Sequence, residues 1–211
     1  MGHAARGSLR RGFQLTRRVV ILGAAGPSNR WANDLEDDIE LWAMNMCHRF
    51  LTRPAQRWFQ MHHRMHNRES GHPPGHFGRP LDHEEYLAAL EIPVYMQRVD
   101  PLIPYSVEYP LTEVSGAFGG YFTSTVAYML ALALYEGVDE IGLLGIYMNN
   151  GEEYREQRSC VEYYLGIAKA ARVNIVLPTD STLTKAPLYA YDEFMEPRET
   201  LQLSKVEVLS V

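Results

Sequence analysis

The sequence predicts an α/β domain built on a mostly parallel β-sheet. Three observations predict it. Short apolar runs such as Val19–Leu22, Ile141–Ile146 and Val173–Leu177 are bounded by Gly, Pro or Asn, as buried strands of a parallel sheet are. Longer segments of helical length alternate with them. The first run ends in a glycine-rich turn, Gly23-Ala24-Ala25-Gly26-Pro27-Ser28, and glycines there let a backbone approach a phosphate or ribose closely.

The elements follow in order. Val19–Leu22 is the first strand. Trp31–Asp38 is polar and acidic and suits a loop or short helix. Glu40–Met44 reads as a second strand ending at Asn45, and Arg57–Met61 as a third ending at His62. Asp82–Leu90 reads as a short helix, with Asp82 as cap and Glu85 as its box partner. Ile92–Met96 is a fourth strand whose Pro93 places it at a strand start or an edge. Asp100–Ser115, with Pro101, Pro104 and Pro110, reads as a long connection covering a site.

The stretch Gly119–Met148 organises the rest. Val126–Tyr135 is apolar without a polar face, so it predicts a helix buried on most sides. Gly137 stops it, and Ile141–Ile146 follows as a strand. Thr123, Ser124 and Thr125 stand where an N-cap belongs, and a helix start with unpaired N–H groups suits an anion. Asn149–Gly151 is a turn. Glu152–Arg172 is a long helix with Tyr163, Tyr164, Ile167 and Ala171 on one face, and Val173–Leu177 is the last core strand before Pro178. Gly23, Asn45, His62 and Gly145 all fall at strand ends, where open parallel sheets bind ligands.

Composition sets the class. The chain has 211 residues, enough for one core, and a net charge of −6. Arg6, Arg10, Arg11, Arg17 and Arg18 precede the first strand without an acid, so residues 1–18 read as a basic, flexible leader. Beyond it no basic stripe marks a nucleic-acid surface. Cys47 and Cys160 lack a C-x-x-C spacing, which fits a reducing compartment and a cytoplasmic protein. No apolar segment reaches the roughly 18 residues that cross a bilayer, and no signal-peptide core precedes the fold. Residues 19–185 form the single domain. Residues 186–211 form a tail whose alternating end, Lys205–Val211, suits an edge strand or a partner contact.

Six of the eight histidines lie between His62 and His83. His62 and His66 have the i,i+4 spacing of zinc ligands, but no Cys or second acidic ligand accompanies them. The segment reads as a polar loop, and no metal site is assigned.

Four blocks taken together resemble bacterial sialyltransferases of the Campylobacter type and small phage-encoded proteins similar to them. The blocks are Val19–Ser28, Leu41–Asn45, Phe122–Gly151 and Val173–Thr182, in order over residues 19–185. The resemblance implies a Rossmann-like three-layer sandwich that binds a CMP-sugar without a metal or other cofactor. It implies that Gly23, Gly26, Pro27 and Ser28 approach the nucleotide and that Asn45 hydrogen-bonds it. Thr123, Ser124 and Thr125 meet the phosphate or sugar, and Tyr154 matches a tyrosine that touches the nucleotide phosphate. The family's Gly-Ile-Asp is Gly145-Ile146-Tyr147 here, so Tyr147 stands in as a second phosphate-binding tyrosine. The insertion carrying the family's histidine base is missing; His62 and Glu153 are the candidates to replace it. Members of the family self-associate, which makes a homo-oligomer an expected state.

Two other functions stay open. A diphosphokinase or phosphohydrolase on a similar fold, acting on a nucleotide or pterin, needs Mg²⁺ and acids to hold it; Asp34, Asp37 and Asp38 are the candidates. A non-catalytic nucleotide or nucleotide-sugar binding protein, such as a phage accessory protein, fits the lost histidine and lost acid.

Overall fold

A computed structural model describes residues 16–62, 81–148, 152–179 and 181–185, with backbone alone at 81–82 and 152–154. The rest of the leader, most of the histidine-rich loop, the cap at Asp82, the 149–151 turn, the side chains of Glu153 and Tyr154, and the C-terminal tail lie outside the described residues.

Seven strands form one parallel sheet in the order β5-β4-β3-β2-β1-β6-β7. They are β1 (Arg18–Leu22), β2 (Glu40–Met44), β3 (Arg57–Phe59), β4 (Val94–Met96), β5 (Ser106–Glu108), β6 (Glu140–Leu144) and β7 (Asn174–Val176). Among the described residues four α-helices accompany them: α1 (Leu81–Ala89), α2 (Leu111–Phe118), α3 (Thr125–Tyr135) and α4 (Glu152–Ala170). Two 3₁₀ turns, Ser28–Asp34 and Asn45–Arg49, follow β1 and β2.

The centre of the sheet is β1, paired with β2 on one side and β6 on the other. Val19–Leu22 and Leu41–Met44 are buried residue after residue, because helices or loops cover both faces. Trp42 and Phe59 stack at 5.5 Å and Phe59 and Tyr95 at 4.8 Å, extending the core from β2 to β4. Each large side chain buried in this way contributes about 1.5–3 kcal/mol.

α3 is the buried helix that its sequence predicts. Thr125 to Ala127 and Met129 to Ala133 are all buried, and the recurring alanines let neighbours pack close to its axis. Ser124 begins it, accepting a hydrogen bond from the Ala127 N–H at 3.3 Å.

The connection expected over Asp100–Ser115 instead contains β5 and the start of α2. β5 is a three-residue edge strand with Val107 and Glu108 exposed, so it lacks the apolar run that marks a buried strand. β3 and β4 are shorter than expected. Pro93 has no N–H to give the ladder, and its carbonyl instead accepts from Trp58 N–H at 2.9 Å. The inward face of α4 is also corrected. Cys160, Val161, Tyr164, Leu165 and Ala168 are buried, whereas Tyr163 and Ala171 are exposed. The buried residues recur at 160, 161, 164, 165 and 168 as one stripe; Tyr163 falls to one side of it, and Ala171 lies past the helix end.

Arg17 and Arg18, counted in the basic leader, are part of the fold. Arg17 pairs with Glu40 at 2.7 Å and with Glu136 at 2.8 Å, and Arg57 pairs with Glu136 at 2.6 Å and 2.9 Å. These partners tie the starts of β1, β2 and β3 to the end of α3. Arg18 pairs with Glu36 and Asp38. Among the described residues no helix is long and apolar enough to cross a membrane.

Candidate functional site

The strand order places the site. From β1 the chain steps outward through β2, β3, β4 and β5, then returns to add β6 and β7 on the other side of β1. The loops after β1 and β6 therefore diverge, and a crevice opens between them at the carboxyl edge of the sheet. α3 and α4 each precede the strand they lead into, so both run against the sheet and start at this edge.

The crevice floor is two loops in backbone contact. Gly23 N–H donates to the Leu144 carbonyl at 2.8 Å, and Ala25 N–H to the Gly145 carbonyl at 3.0 Å. A β-carbon on Gly23 would fall 2.4 Å from the Gly145 oxygen; one on Gly145, which has φ +65°, would fall 2.3 Å from the Gly23 oxygen. By contrast, a β-carbon on Gly26 would meet nothing nearer than the Asn29 side chain at 3.9 Å. The Gly26–Pro27 peptide is cis.

Ser28 ties the floor together. It is fully buried. Its hydroxyl oxygen accepts from Gly145 N–H at 3.0 Å and from the Tyr147 hydroxyl at 2.8 Å, and its own N–H reaches the Tyr147 oxygen at 3.3 Å. The Tyr147 phenol is thus engaged with the β1 loop. The Thr182 hydroxyl donates to the Tyr147 carbonyl at 3.0 Å, and Arg158 on α4 donates to the Thr182 carbonyl. The segment after β7 is thereby strapped across the end of the crevice. Arg158 has no sequence signature beyond its i,i+4 pairing with Glu162 at 3.0 Å, and only the fold shows its second partner.

Asn45 stands at the end of β2, on the other flank of β1. It has φ +48°, a left-handed conformation that Asn tolerates better than most residues. Its side-chain oxygen is buried and has no hydrogen-bond partner among the described residues. A buried acceptor left unpaired costs free energy, so this oxygen suits a donor that arrives with a ligand. The Cys47 thiol donates to the Leu22 carbonyl at 3.4 Å and holds this turn against the end of β1. Burial pushes that thiol up to about 12.

The start of α3 lies on the same edge. Ser124 caps it, the Thr123 hydroxyl donates to the Glu156 carbonyl on α4 at 3.2 Å, and Thr125 is buried. The backbone of residues 153 and 154 occupies the first turn of α4. His62 is exposed just past β3, with β2 between its strand and β1, or about 10 Å of sheet. The fold thus gathers Gly23, Ser28, Asn45, Ser124, Gly145 and Tyr147 at one edge and leaves His62 toward its side. Asp37 and Asp38 precede β2 at the opposite edge, where Asp38 meets Arg18, so they do not face the crevice. Among the described residues no group of three or more His, Cys, Asp or Glu is placed to hold a metal ion.

No protein-family model and no curated protein sequence matches the chain. Solved structures do match. The chain is similar to the monofunctional α-2,3-sialyltransferase Cst-I from Campylobacter jejuni, at 16% identity and TM-score 0.52, over 83% of this chain and 82% of that one. It is also similar to the sialyltransferase CstII from Campylobacter jejuni in complex with the substrate analogue CMP-3FNeuAc, at 16% identity and TM-score 0.50, over 77% of this chain and 80% of that one. The resemblance carried by the four sequence blocks therefore extends to the fold, a parallel α/β sandwich like that of these enzymes.

Proposed function

We propose that the crevice between the β1 and β6 loops binds a CMP-type nucleotide sugar and that the protein transfers the sugar to an acceptor hydroxyl. The observation that carries this reading is the unpaired, buried oxygen of Asn45 beside the switch point, in a fold similar to one captured with a CMP-sugar analogue.

Each part has a physical role. The close glycine contact keeps the crevice floor low, so Gly23, Gly26 and Pro27 offer backbone to the nucleotide. Ser28 sets the shape of that floor from beneath. Asn45 accepts an N–H or O–H from the nucleoside. The N-terminus of α3, at Thr123, Ser124 and Thr125, presents N–H groups and the positive end of a helix dipole to the phosphate. As the bond from the anomeric carbon to the phosphate oxygen breaks, negative charge grows on that phosphate, and donors already in place stabilise it. A phenol at Tyr154 would add one more. No step in this scheme needs a metal.

The test is calorimetric titration of the full chain with CMP, UMP, GMP and AMP, with and without Mg²⁺. Tightest binding by CMP, unchanged by Mg²⁺, is the expected result. Equal binding of all four, or binding that requires Mg²⁺, would refute the proposal. Replacement of the family's acid by Tyr147 favours a second reading, binding without turnover. CMP binding with no consumption of CMP-sialic acid would select it.

A further inference from the structure

A pocket of about 290 Å³ lies at the amino edge of the sheet, opposite the crevice, where the ends of α2, α3 and α4 meet the starts of β6 and β7. Phe118, Leu134 and Ile167 are among its apolar walls, and Asp139 and Arg172 are its charged members. An apolar cavity of about 150 Å³ already accepts a benzene ring. The apolar surface continues beyond the pocket. Tyr163 stands one turn before Ile167 on α4, about 6 Å along the axis, and its ring meets that of Tyr121 at 5.6 Å. Tyr121 is 41% exposed and Tyr163 45%. Pocket and ring pair make one apolar track beside α4, the kind of surface that marks a contact.

The chain enters β1 at the mouth of this pocket. Arg17 N–H donates to Asp139 Oδ2 at 2.7 Å, and the Arg17 carbonyl accepts from the Asp139 and Glu140 N–H groups at 3.0 Å and 3.3 Å. Asp139 is itself a pocket residue, so the leader joins the fold beside the pocket. The sequence just upstream is Arg11-Gly12-Phe13-Gln14-Leu15-Thr16. An extended chain rises about 3.3 Å per residue and puts alternate side chains on one face. Phe13 is therefore within about 13 Å of Arg17, and Leu15, Phe13 and Arg11 share a face at intervals of about 7 Å. Charge fits the same direction. Beside Asp139 and Arg172 the leader brings the uncharged Gln14 and Thr16, and its arginines fall further along, where the track offers tyrosine rings. A guanidinium over such a ring is attracted to it.

We propose that residues 11–15 of the leader bind along this track, with Phe13 in the pocket, Leu15 at its Asp139 end and Arg11 over the rings of Tyr163 and Tyr121. The contact removes one large aromatic side chain from water and clasps the start of β1 to the ends of α2, α3 and α4.

The experiment uses the full chain, whose native Cys47 and Cys160 are both buried. Gln14→Cys is paired with Ala171→Cys at the pocket, or with Asp37→Cys as control. Asp37 is exposed and adjoins Asp38, which meets Arg18, so the leader reaches it as easily. Under mild oxidation at low protein concentration the pocket pair should form an intrachain disulfide about tenfold faster than the control pair, and adding Phe13→Ala should abolish the difference. Trypsin supplies a second readout. Cleavage after Arg11 should be about tenfold faster in Phe13→Ala than in wild type. Ile167→Asp should accelerate it similarly, and the double variant should be no faster than either, because both remove the same contact. Should Ile167→Asp fail to fold, the disulfides and Phe13→Ala still decide. Equal oxidation of the two cysteine pairs, or unchanged cleavage in Phe13→Ala, overturns the proposal. Disulfide-linked dimers in place of the intrachain bond overturn it as well and give the track to a second copy of the chain.

Discussion

Gly23 and Gly145 are in mutual backbone contact: a β-carbon on either would come within 2.4 Å of the other's carbonyl oxygen. Two loops that diverge beyond a switch point are held together at their start by the absence of two side chains. Because both neighbours are backbone, neither can yield. Gly145→Ala adds this clash to the strain of φ +65° and should cost more than about 2 kcal/mol. Gly137→Ala has a similar φ of +70° but open space around it, and should cost about 1 kcal/mol. Urea denaturation of the two variants separates clash from strain; equal midpoints would contradict the contact.

Ser28 and Tyr147 make the second tie. Ser28→Ala leaves the Gly145 N–H without its 3.0 Å partner in a buried place, which should cost about 1–3 kcal/mol. Tyr147→Phe removes the 2.8 Å hydroxyl bond and the oxygen that the Ser28 N–H reaches at 3.3 Å, and should cost about 1–2 kcal/mol. Their double variant should fall short of the sum, because both delete the same bond. Thermal unfolding of the three proteins checks this.

Asn45 should matter to ligand binding more than to stability. Its side-chain oxygen has no partner among the described residues, and glycine accommodates φ +48°. Asn45→Gly should therefore unfold at nearly the wild-type urea concentration yet bind CMP more weakly by about 1–3 kcal/mol. An unchanged CMP titration would remove Asn45 from the site.

The ion network at the amino edge makes stability depend on acid. The Arg17 guanidinium holds the Glu40 carboxyl below the usual carboxylate range. In the unfolded chain that carboxyl returns to about 4.3. The unfolded state therefore binds the proton first, so this contribution is complete above about pH 4.3 and is lost as pH falls through the folded value. Glu40→Gln should lower the unfolding midpoint at pH 6 and flatten its decline toward pH 3. Parallel curves for the two proteins would show that the pairing with Arg17 is thermodynamically silent.

Cys47 should be inert in the native protein. Burial raises its thiol to about 12, which leaves almost no thiolate at pH 8. Iodoacetamide should modify it only after urea unfolds the chain; labelling of the folded protein at a free-thiol rate would show that the turn at Asn45 opens readily.

Much of the fold was legible in one dimension. The second strand, Glu40–Met44, was read with its observed limits, and the apolar helix after Ser124 starts within one residue of the reading. Both are strongly patterned: a buried strand and a buried helix each show a continuous apolar run. β5 and the true inner face of α4 were not legible. A three-residue edge strand has too little apolar content to register, and Tyr163 and Tyr164 look alike until packing selects one. The candidate site divides the same way. Strand-end polar residues announced the carboxyl edge, but the positions of Arg158 and Thr182 depended on partners 24 and 35 residues away.

By itself the sequence determined the α/β class, the buried central helix with a hydroxyl cap among Thr123, Ser124 and Thr125, and the polar residues that follow each strand. These are local properties, set by apolar periodicity and by the preferences of Gly, Pro, Ser and Asn. Only the tertiary structure decided which strand ends meet. The order β2-β1-β6 brought Gly23 against Gly145, placed Asn45 beside them, and set Asp37 and Asp38 at the far edge. Strand order is a choice among long-range pairings whose hydrogen bonds are chemically alike. It is settled by the packing of the whole core, which no single stretch of the chain encodes.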